Sequence, residues 1–517
     1  MKKKIWAILF GIIIAFSFTA CSGDGSYRAI SVGGEKQDTG YTVYSNGGTA
    51  VQYGNYVYFI NGNRGYEDAS GQDNVWGEVV KGGLYRAELI GQKDGKDFIV
   101  TGDAKTGLDF TSVKGLDYNE NIIDVVNVQQ IAPKTIGTSG YAGGIYIYDD
   151  YVYYASPNNQ QNKQGVVQSS KTDFFRSKLD GSNTIKIFTT ESDTASSPYG
   201  FYKYGGAVYL VVLDGTVVKS VRINDRKNEV MQIATGVSAM VVPERPVYYP
   251  GIEDTYGVEN FVYFSRSVND NDTQRAGTVL ECMRPDGSER FIFHADGQTA
   301  SIDAVRDGLV FYRTVKAKLQ TAVNYTNMHD RFMEESPSYK AAPKYSANLQ
   351  GEVISRETAT LTGYKSVYPF RPDAAQDPTN NVVYCLYATS TGLYLNIGGV
   401  EDRQIYSGAA SVQLVAGNDV YFTDSDSGTT LFVTNLYTPA ADKESTADTI
   451  ATDIKVTGTG LDVVGDYLVY FGKLDEYAAD YTFFHKRNGY VGQEAQFVGV
   501  RSGADVKPAA TETEEDA

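Results

Sequence analysis

At 517 residues the chain is long for one compact core, which points to several domains or a repeat architecture. A hydrophobic share of 42% is enough to bury a core, whereas the net charge of -17 leaves no basic footprint to displace counterions from a nucleic acid, so no nucleic-acid partner is expected. Forty tyrosines and 53 glycines against 14 prolines favour strands joined by tight turns over helices.

The N-terminus reads as a targeting segment. Lys2, Lys3 and Lys4 precede an apolar run of 14 residues, "IWAILFGIIIAFSF", too short to span a bilayer comfortably. It leads into "SFTAC", with Ala20 before Cys21 and Ser22 after it. This resembles the lipobox of bacterial lipoproteins, with Phe18 where an aliphatic residue is usual. The resemblance implies a diacylglycerol on the Cys21 sulfur, cleavage just before it, and acylation of the new N-terminus. Two or three acyl chains anchor a protein stably to a membrane. The expectation is therefore a signal peptide over 1–21, with Cys21 as the lipidation site. A polar, glycine-rich tether follows over 22–40, and the protein is placed on the extracytoplasmic face of the cell membrane. An ordinary signal peptide with an incidental cysteine is the alternative reading.

From residue 41 onward one strand pattern recurs: a turn residue, one or two variable residues, then Val-Tyr-aromatic or a close variant. In chain order the copies are "GNYVYF" from Gly54, "DDYVYY" from Asp149, "GGAVYL" from Gly205 and "ENFVYF" from Glu259. "DGLVFY" from Asp307, "NNVVYCLY" from Asn380, "GNDVYF" from Gly417 and "GDYLVYF" from Gly465 complete the set. Their starts are 37 to 95 residues apart, most of them close to the roughly 40–50 residues of a four-stranded propeller blade. Short alternating segments precede the copies ("TAVQY", "SIDAV", "SVQLVA", "GLDVV"). Second strands follow them ("GLYRAEL", "DFFRSKL", "TVLECMR", "GLYLNI", "TTLFVTNL"). Turns written "LDGS" and "PDGS" lead to a fourth strand, "TIKIF" or "RFIF", and Asp-Gly supplies the positive φ a tight hairpin needs.

A lone four-stranded blade cannot cover both of its faces, but a closed ring of blades can. The fold expected is all-β: a single β-propeller over 41–503 of about eight four-stranded antiparallel blades, or seven if one copy only closes the ring. The 95-residue gap holds either an extra blade or an elaborated loop. Residues 316–344, mixed in charge, read as a loop insertion over one face of the ring. The tail over 504–517 is acidic and lacks apolar periodicity, so it reads as disordered.

The cycle of "VYF", "GLYR" and "LDGS" resembles a bacterial propeller domain of unknown function that is itself similar to the low-density-lipoprotein-receptor propeller. The likeness covers roughly 41–503 and rests on spacing and strand signature. It implies a binding or sensing module at the cell envelope of Gram-positive bacteria. The receptor propellers carry Tyr-Trp-Thr-Asp where this chain has Val-Tyr-Phe, so no ligand-binding position carries over.

Motifs for chemistry are sparse. His294, His329 and His485 lack metal-ligand spacing, and there is no Cys-x-x-Cys, Gly-x-Ser-x-Gly or Walker loop. "GTGLDV", around Gly458 and Gly460, reads as a turn. "DSDSGTTLF", from Asp424, resembles a single Asp-box of sialidase-type propellers or forms an ordinary Asx turn. This stretch and "NDND", over 269–272, are the candidates for calcium, with incomplete spacing. Cys282 and Cys385 lie in apolar strands and read as buried free thiols, although spacing leaves a bridge between them open. Most tyrosines alternate with valine at core spacing and read as packing between blades.

The expected function is that of a monomeric, non-catalytic binding, sensing or scaffold module for a protein or glycan, with no cofactor. The alternative is a carbohydrate-active hydrolase or lyase using channel carboxylates, of which Asp303 and Asp462 are the candidates. Strand residues of this kind also serve to cap turns or hold water. A structural partner of a larger envelope assembly is a third option.

Overall fold

The computed structural model describes strands and short connections between residues 43 and 497; the longest stretches outside it are 1–42, 90–124, 327–365 and 498–517. Among the described residues, eight antiparallel sheets follow one another along the chain and form the blades of a β-propeller; a separate two-stranded hairpin, Val75–Trp76 with Val79–Val80, lies within the first. Blade 2 shows the pattern: Tyr146–Tyr148, Tyr151–Pro157, Thr172–Lys178 and Ile185–Thr189, hydrogen-bonded in that order. Blade 1 spans 43–132, blade 3 199–235, blade 4 237–294, blade 5 299–326, blade 6 366–406, blade 7 410–451 and blade 8 454–497.

All eight copies of the Val-Tyr-aromatic signature fall on the strand that follows a blade's inner strand, from Tyr56–Ile60 in blade 1 to Tyr467–Leu474 in blade 8. Period-two alternation explains why the signature is apolar on both sides. In blade 2, Val152 and Tyr154 pack with Val51, Tyr58 and Leu84 of blade 1, while Tyr153 and Ala155 pack with Phe201 and Leu210 of blade 3. In blade 4, Val262 and Phe264 face Val211 and Leu213 of blade 3, while Tyr263 faces Val305 and Val310 of blade 5. Each such side chain, fully removed from water, contributes about 1.5–3 kcal/mol.

The hairpins joining the first two strands are tight. Gly54, Asp149, Gly205 and Gly417 open them at φ of +60, +55, +55 and +63°. The Asp-Gly turns hold the expected geometry, with Gly181 and Gly287 at +80 and +82° and the Asp180 and Asp286 carboxylates accepting the backbone N–H of Ser182 and Ser288. They also do something the sequence did not show. The residue before each aspartate gives its carbonyl to the preceding blade. Leu179 O accepts from Tyr58 Oη and Arg86 Nη1, both at 3.0 Å, and Pro285 O accepts from Ser220 Oγ at 2.5 Å.

Among the described residues the long first gap adds no extra blade: Val125–Ala132 pairs with Leu84–Leu89 as the outer strand of blade 1, a small hairpin pairs Val75–Trp76 with Val79–Val80, and 90–124 lie outside the described residues. The expected insertion over 316–344 is corrected in part. Val323–Thr326 pairs with Leu309–Val315 and is the third strand of blade 5, hidden from sequence reading by its polar "VNYT" and its charged surroundings. The rest of that insertion, 316–322 and 327–344, lies outside the described residues.

Blade 8 meets blade 1 to close the ring. Thr482 Oγ1 donates to Ile60 O at 2.6 Å and accepts from Gly62 N at 2.8 Å, and Phe471 joins the blade 1 core. Blade 1 also carries an additional strand, Val43–Tyr44, paired with its inner strand Ala50–Tyr53.

Candidate functional site

The inner strands bear the residues that face the axis of the ring. In blades 5, 7 and 8 the pairing of the inner strand slips at one equivalent level, opposite the two aromatic residues of the signature. The slip falls opposite Phe311–Tyr312 in blade 5, Tyr421–Phe422 in blade 7 and Tyr470–Phe471 in blade 8. The extra residues are Asp303, Gln413 and the run 458–460. Blade 4 slips nearby, opposite Ser265 and Arg266, with Ser238 as its extra residue. A bulge kinks the strand and re-aims one side chain, so these four blades form a collar of bulged positions.

Its described members are polar. Ser238 is exposed, and its Oγ donates to Ser265 O at 3.0 Å. Gln413 is half-buried, with Nε2 donating to Thr423 Oγ1 at 3.2 Å. Asp303 is half-buried at the blade 5 bulge. The Gly458-Thr459-Gly460 stretch, expected as a turn, is corrected: it lies within the strand Ile454–Val464 and makes the blade 8 bulge. Isolated glycines within a strand signal this.

Asp462 does not share the setting of Asp303. It is only 2% exposed, and its Oδ2 accepts from Thr49 N and Thr49 Oγ1, both at 2.7 Å, and from Ala50 N at 3.4 Å. Nearby, Ser45 Oγ donates to Val463 O at 2.5 Å. On the other side, Asn46 exchanges two hydrogen bonds with the backbone of Ile147, and Gly47 N and Gly48 O bond Ile145. The segment 45–49 is thus a clasp between blades 8 and 2. The close approach requires glycine: a Cβ on Gly48 would lie 2.6 Å from Asp462 Oδ1, and one on Gly144 only 2.1 Å from Gly48 O. Sequence reading missed the clasp, and its only signal was "SNGGT" just inside the expected domain boundary.

Perturbed acid–base groups are structural here. Burial raises the Asp214 carboxyl, but donation from Lys219, Ser192 and the backbone of Glu191 and Ser192 outweighs it and holds the group at about 2. This ties the connection leaving blade 2 to blade 3. Burial pushes the phenols of Tyr58, Tyr146, Tyr202 and Tyr470 up, as expected of core tyrosines. Cys282 and Cys385 are buried free thiols on blades 4 and 6, and burial raises the Cys282 thiol well above its ordinary value.

His294 and His485 fall on strands Phe291–His294 and Tyr481–Lys486. His329, Cys21 and residues 269–272 lie outside the described residues. Asp424 ends a blade 7 strand, and its N–H bonds Thr430 O at 3.2 Å, while 425–429 are outside the description. No group of three metal-ligating side chains occurs among the described residues.

No family model matches the chain, and no curated protein matches it. Among solved structures it is similar to puromycin hydrolase, at 12% identity and TM-score 0.42, covering 71% of this chain and 54% of that one. It is also similar to a puromycin-hydrolyzing peptidase of Mycobacterium tuberculosis, at 11% and 0.37, covering 90% and 53%. A third is the β-propeller domain of the Trilobed protease from Pyrococcus furiosus, described as having an open velcro topology, at 11% and 0.34, covering 67% and 95%. The chain thus spans 54% and 53% of the length of the two hydrolases. The eight blade sheets themselves establish the architecture.

Proposed function

We propose that the protein is a lipid-anchored propeller on the extracytoplasmic face of the membrane, a monomer that binds a protein or glycan without catalysing a reaction on it. The observation that carries this reading is the division of labour between the two suspected carboxylates. Asp462 is committed to closing the ring, while Asp303 stands at the blade 5 bulge of the collar, so the two are not placed as a pair. Hydrolysis by paired carboxylates needs two such groups flanking the bond. Among the described residues the collar offers a hydroxyl, an amide and a carboxylate, which suits hydrogen bonding to a polar ligand.

Cross-linking on intact cells tests it. The wild-type protein captures a partner or glycan reproducibly, and a chain carrying both Asp303→Asn and Gln413→Ala captures less while folding normally. Release of new reducing ends from wall glycan by the wild type, lost in Asp303→Asn, would replace the binding reading with the hydrolase one. Separately, Cys21→Ala is expected to move the protein from the membrane fraction to the soluble one; persistence in the membrane would sink the anchor.

A further inference from the structure

The path by which the chain enters the ring sets how the ring stands on its anchor. Antiparallel order places the first-to-second and third-to-fourth connections of the described strands at one end of each sheet, called here the turn face. The second-to-third and blade-to-blade connections lie at the other end, the loop face. The additional strand Val43–Tyr44 runs antiparallel to Ala50–Tyr53, with Val43 opposite Tyr53 and Tyr44 opposite Gln52. Tyr53 is the last residue before the Gly54 hairpin, so the chain enters blade 1 at the turn face. From there it runs inward to the clasp, which bonds blades 8 and 2 and fixes the entry point to the rigid body of the ring.

We propose that the turn face is the membrane-facing side of the ring and that the loop face is held outward. This rests on the lipid-anchor reading above. Between Cys21 and Val43 stand 21 residues, which span at most about 75 Å when fully extended. A tether to the lipid, together with exclusion of the ring from the bilayer, brings the attachment point nearer the membrane on average than the opposite face. The turn face stands off from the lipid rather than docking on it. Its described turns mix Asp149, Asp150, Asp180, Glu244, Asp286 and Glu289 with Lys178, Lys203, Lys227, Arg290 and Arg306, whereas an anionic leaflet attracts clustered, unopposed basic residues.

The test uses the chain from Ser22 onward with a hexahistidine tag in place of the lipid, bound to phosphatidylcholine vesicles containing nickel-chelating and rhodamine-labelled lipid. Single reporter cysteines are placed on opposite faces of blade 2. Lys178→Cys, at the end of the third strand, reports the turn face, and Glu191→Cys, beyond the fourth strand, reports the loop face. Both positions are exposed, and the native thiols of Cys282 and Cys385 are buried, so labelling is confined to the reporters. Thr391→Cys, exposed on the second-to-third turn of blade 6, is a second loop-face reporter.

Energy transfer to the membrane is expected to be stronger from Lys178→Cys than from either loop-face reporter. The height difference is about 20 Å, the length of a six-residue strand. Equal transfer from all three, or stronger transfer from Glu191→Cys and Thr391→Cys, overturns the proposal. Because the tag replaces the lipid, the outcome does not depend on acylation of Cys21, which the membrane fractionation of Cys21→Ala reads separately.

Discussion

The seam between blades 3 and 4 and the seam between blades 8 and 1 perform the same task with different chemistry. Between blades 3 and 4 the contact is a row of interleaved aliphatic and aromatic side chains, with one hydroxyl, Ser220, pinned to the carbonyl before an Asp-Gly turn. The closing seam adds a buried carboxylate, Asp462, receiving backbone and hydroxyl donors from Thr49 and Ala50. The two seams also differ in chain separation. Ser220 and Pro285 are 65 residues apart, whereas Thr49 and Asp462 are 413 apart. Loop closure over the longer span costs about 1.6 kcal/mol more. Hydrogen bonds to a charged acceptor contribute about 1.5–3 kcal/mol each, which offsets that excess. The closing pair adds a buried carboxylate to its apolar packing, whereas the seam between blades 3 and 4 manages with a hydroxyl; among chain neighbours, blades 2 and 3 are also tied through a carboxylate, Asp214.

The sharpest way to break this contrast is Asp462→Ala, which strands buried donors on Thr49 and Ala50. A loss of about 4 kcal/mol in denaturant stability is expected, with Asp462→Asn intermediate because the amide keeps one acceptor. Gly144→Ala follows at about 3 kcal/mol, since its methyl would meet the Gly48 carbonyl and backbone would have to shift. At the neighbour seam, Ser220→Ala is expected to cost only about 1 kcal/mol by the same measurement. A Ser220→Ala loss as large as that of Asp462→Ala would remove the distinction.

The smallest effect is pH-dependent and belongs to the seam between blades 2 and 3. The Asp214 carboxyl titrates at about 2 in the fold against an ordinary 3.8, so the folded protein binds fewer protons than the unfolded chain in that interval. Its stabilisation is complete above the ordinary value and is lost as pH falls from about 4 towards 2. Acid titrations of the wild type and of Asp214→Asn should diverge in that window, with the variant the flatter. Parallel curves would contradict the assignment.

What the sequence revealed follows the same division between near and far. The Val-Tyr-aromatic strands were legible because each blade repeats one local alternation, and the eight copies gave the blade number and the place of the signature strand. The Asp-Gly turns were legible as turns, but their carbonyl contacts to the preceding blade were not, because a carbonyl has no sequence signature. The clasp escaped because its partners are joined only by folding, and "SNGGT" alone resembles the end of a flexible tether. Asp462 reads in the sequence as a candidate channel carboxylate, and its bonds to Thr49 and Ala50 show instead that its work is closure. Asp303 and Gln413 owe their setting to slips of pairing register, which depend on two strands at once.

Hydrogen–deuterium exchange on the wild type and Asp462→Ala tests the central claim most directly. If residues 45–49 and Asp462 close the ring, exchange in the variant accelerates selectively in peptides covering 43–53 and 454–474, while the blade 3 and 4 strands over 199–222 and 262–283 keep their protection. Uniform acceleration across all blades, or unchanged protection at the closing seam, contradicts it.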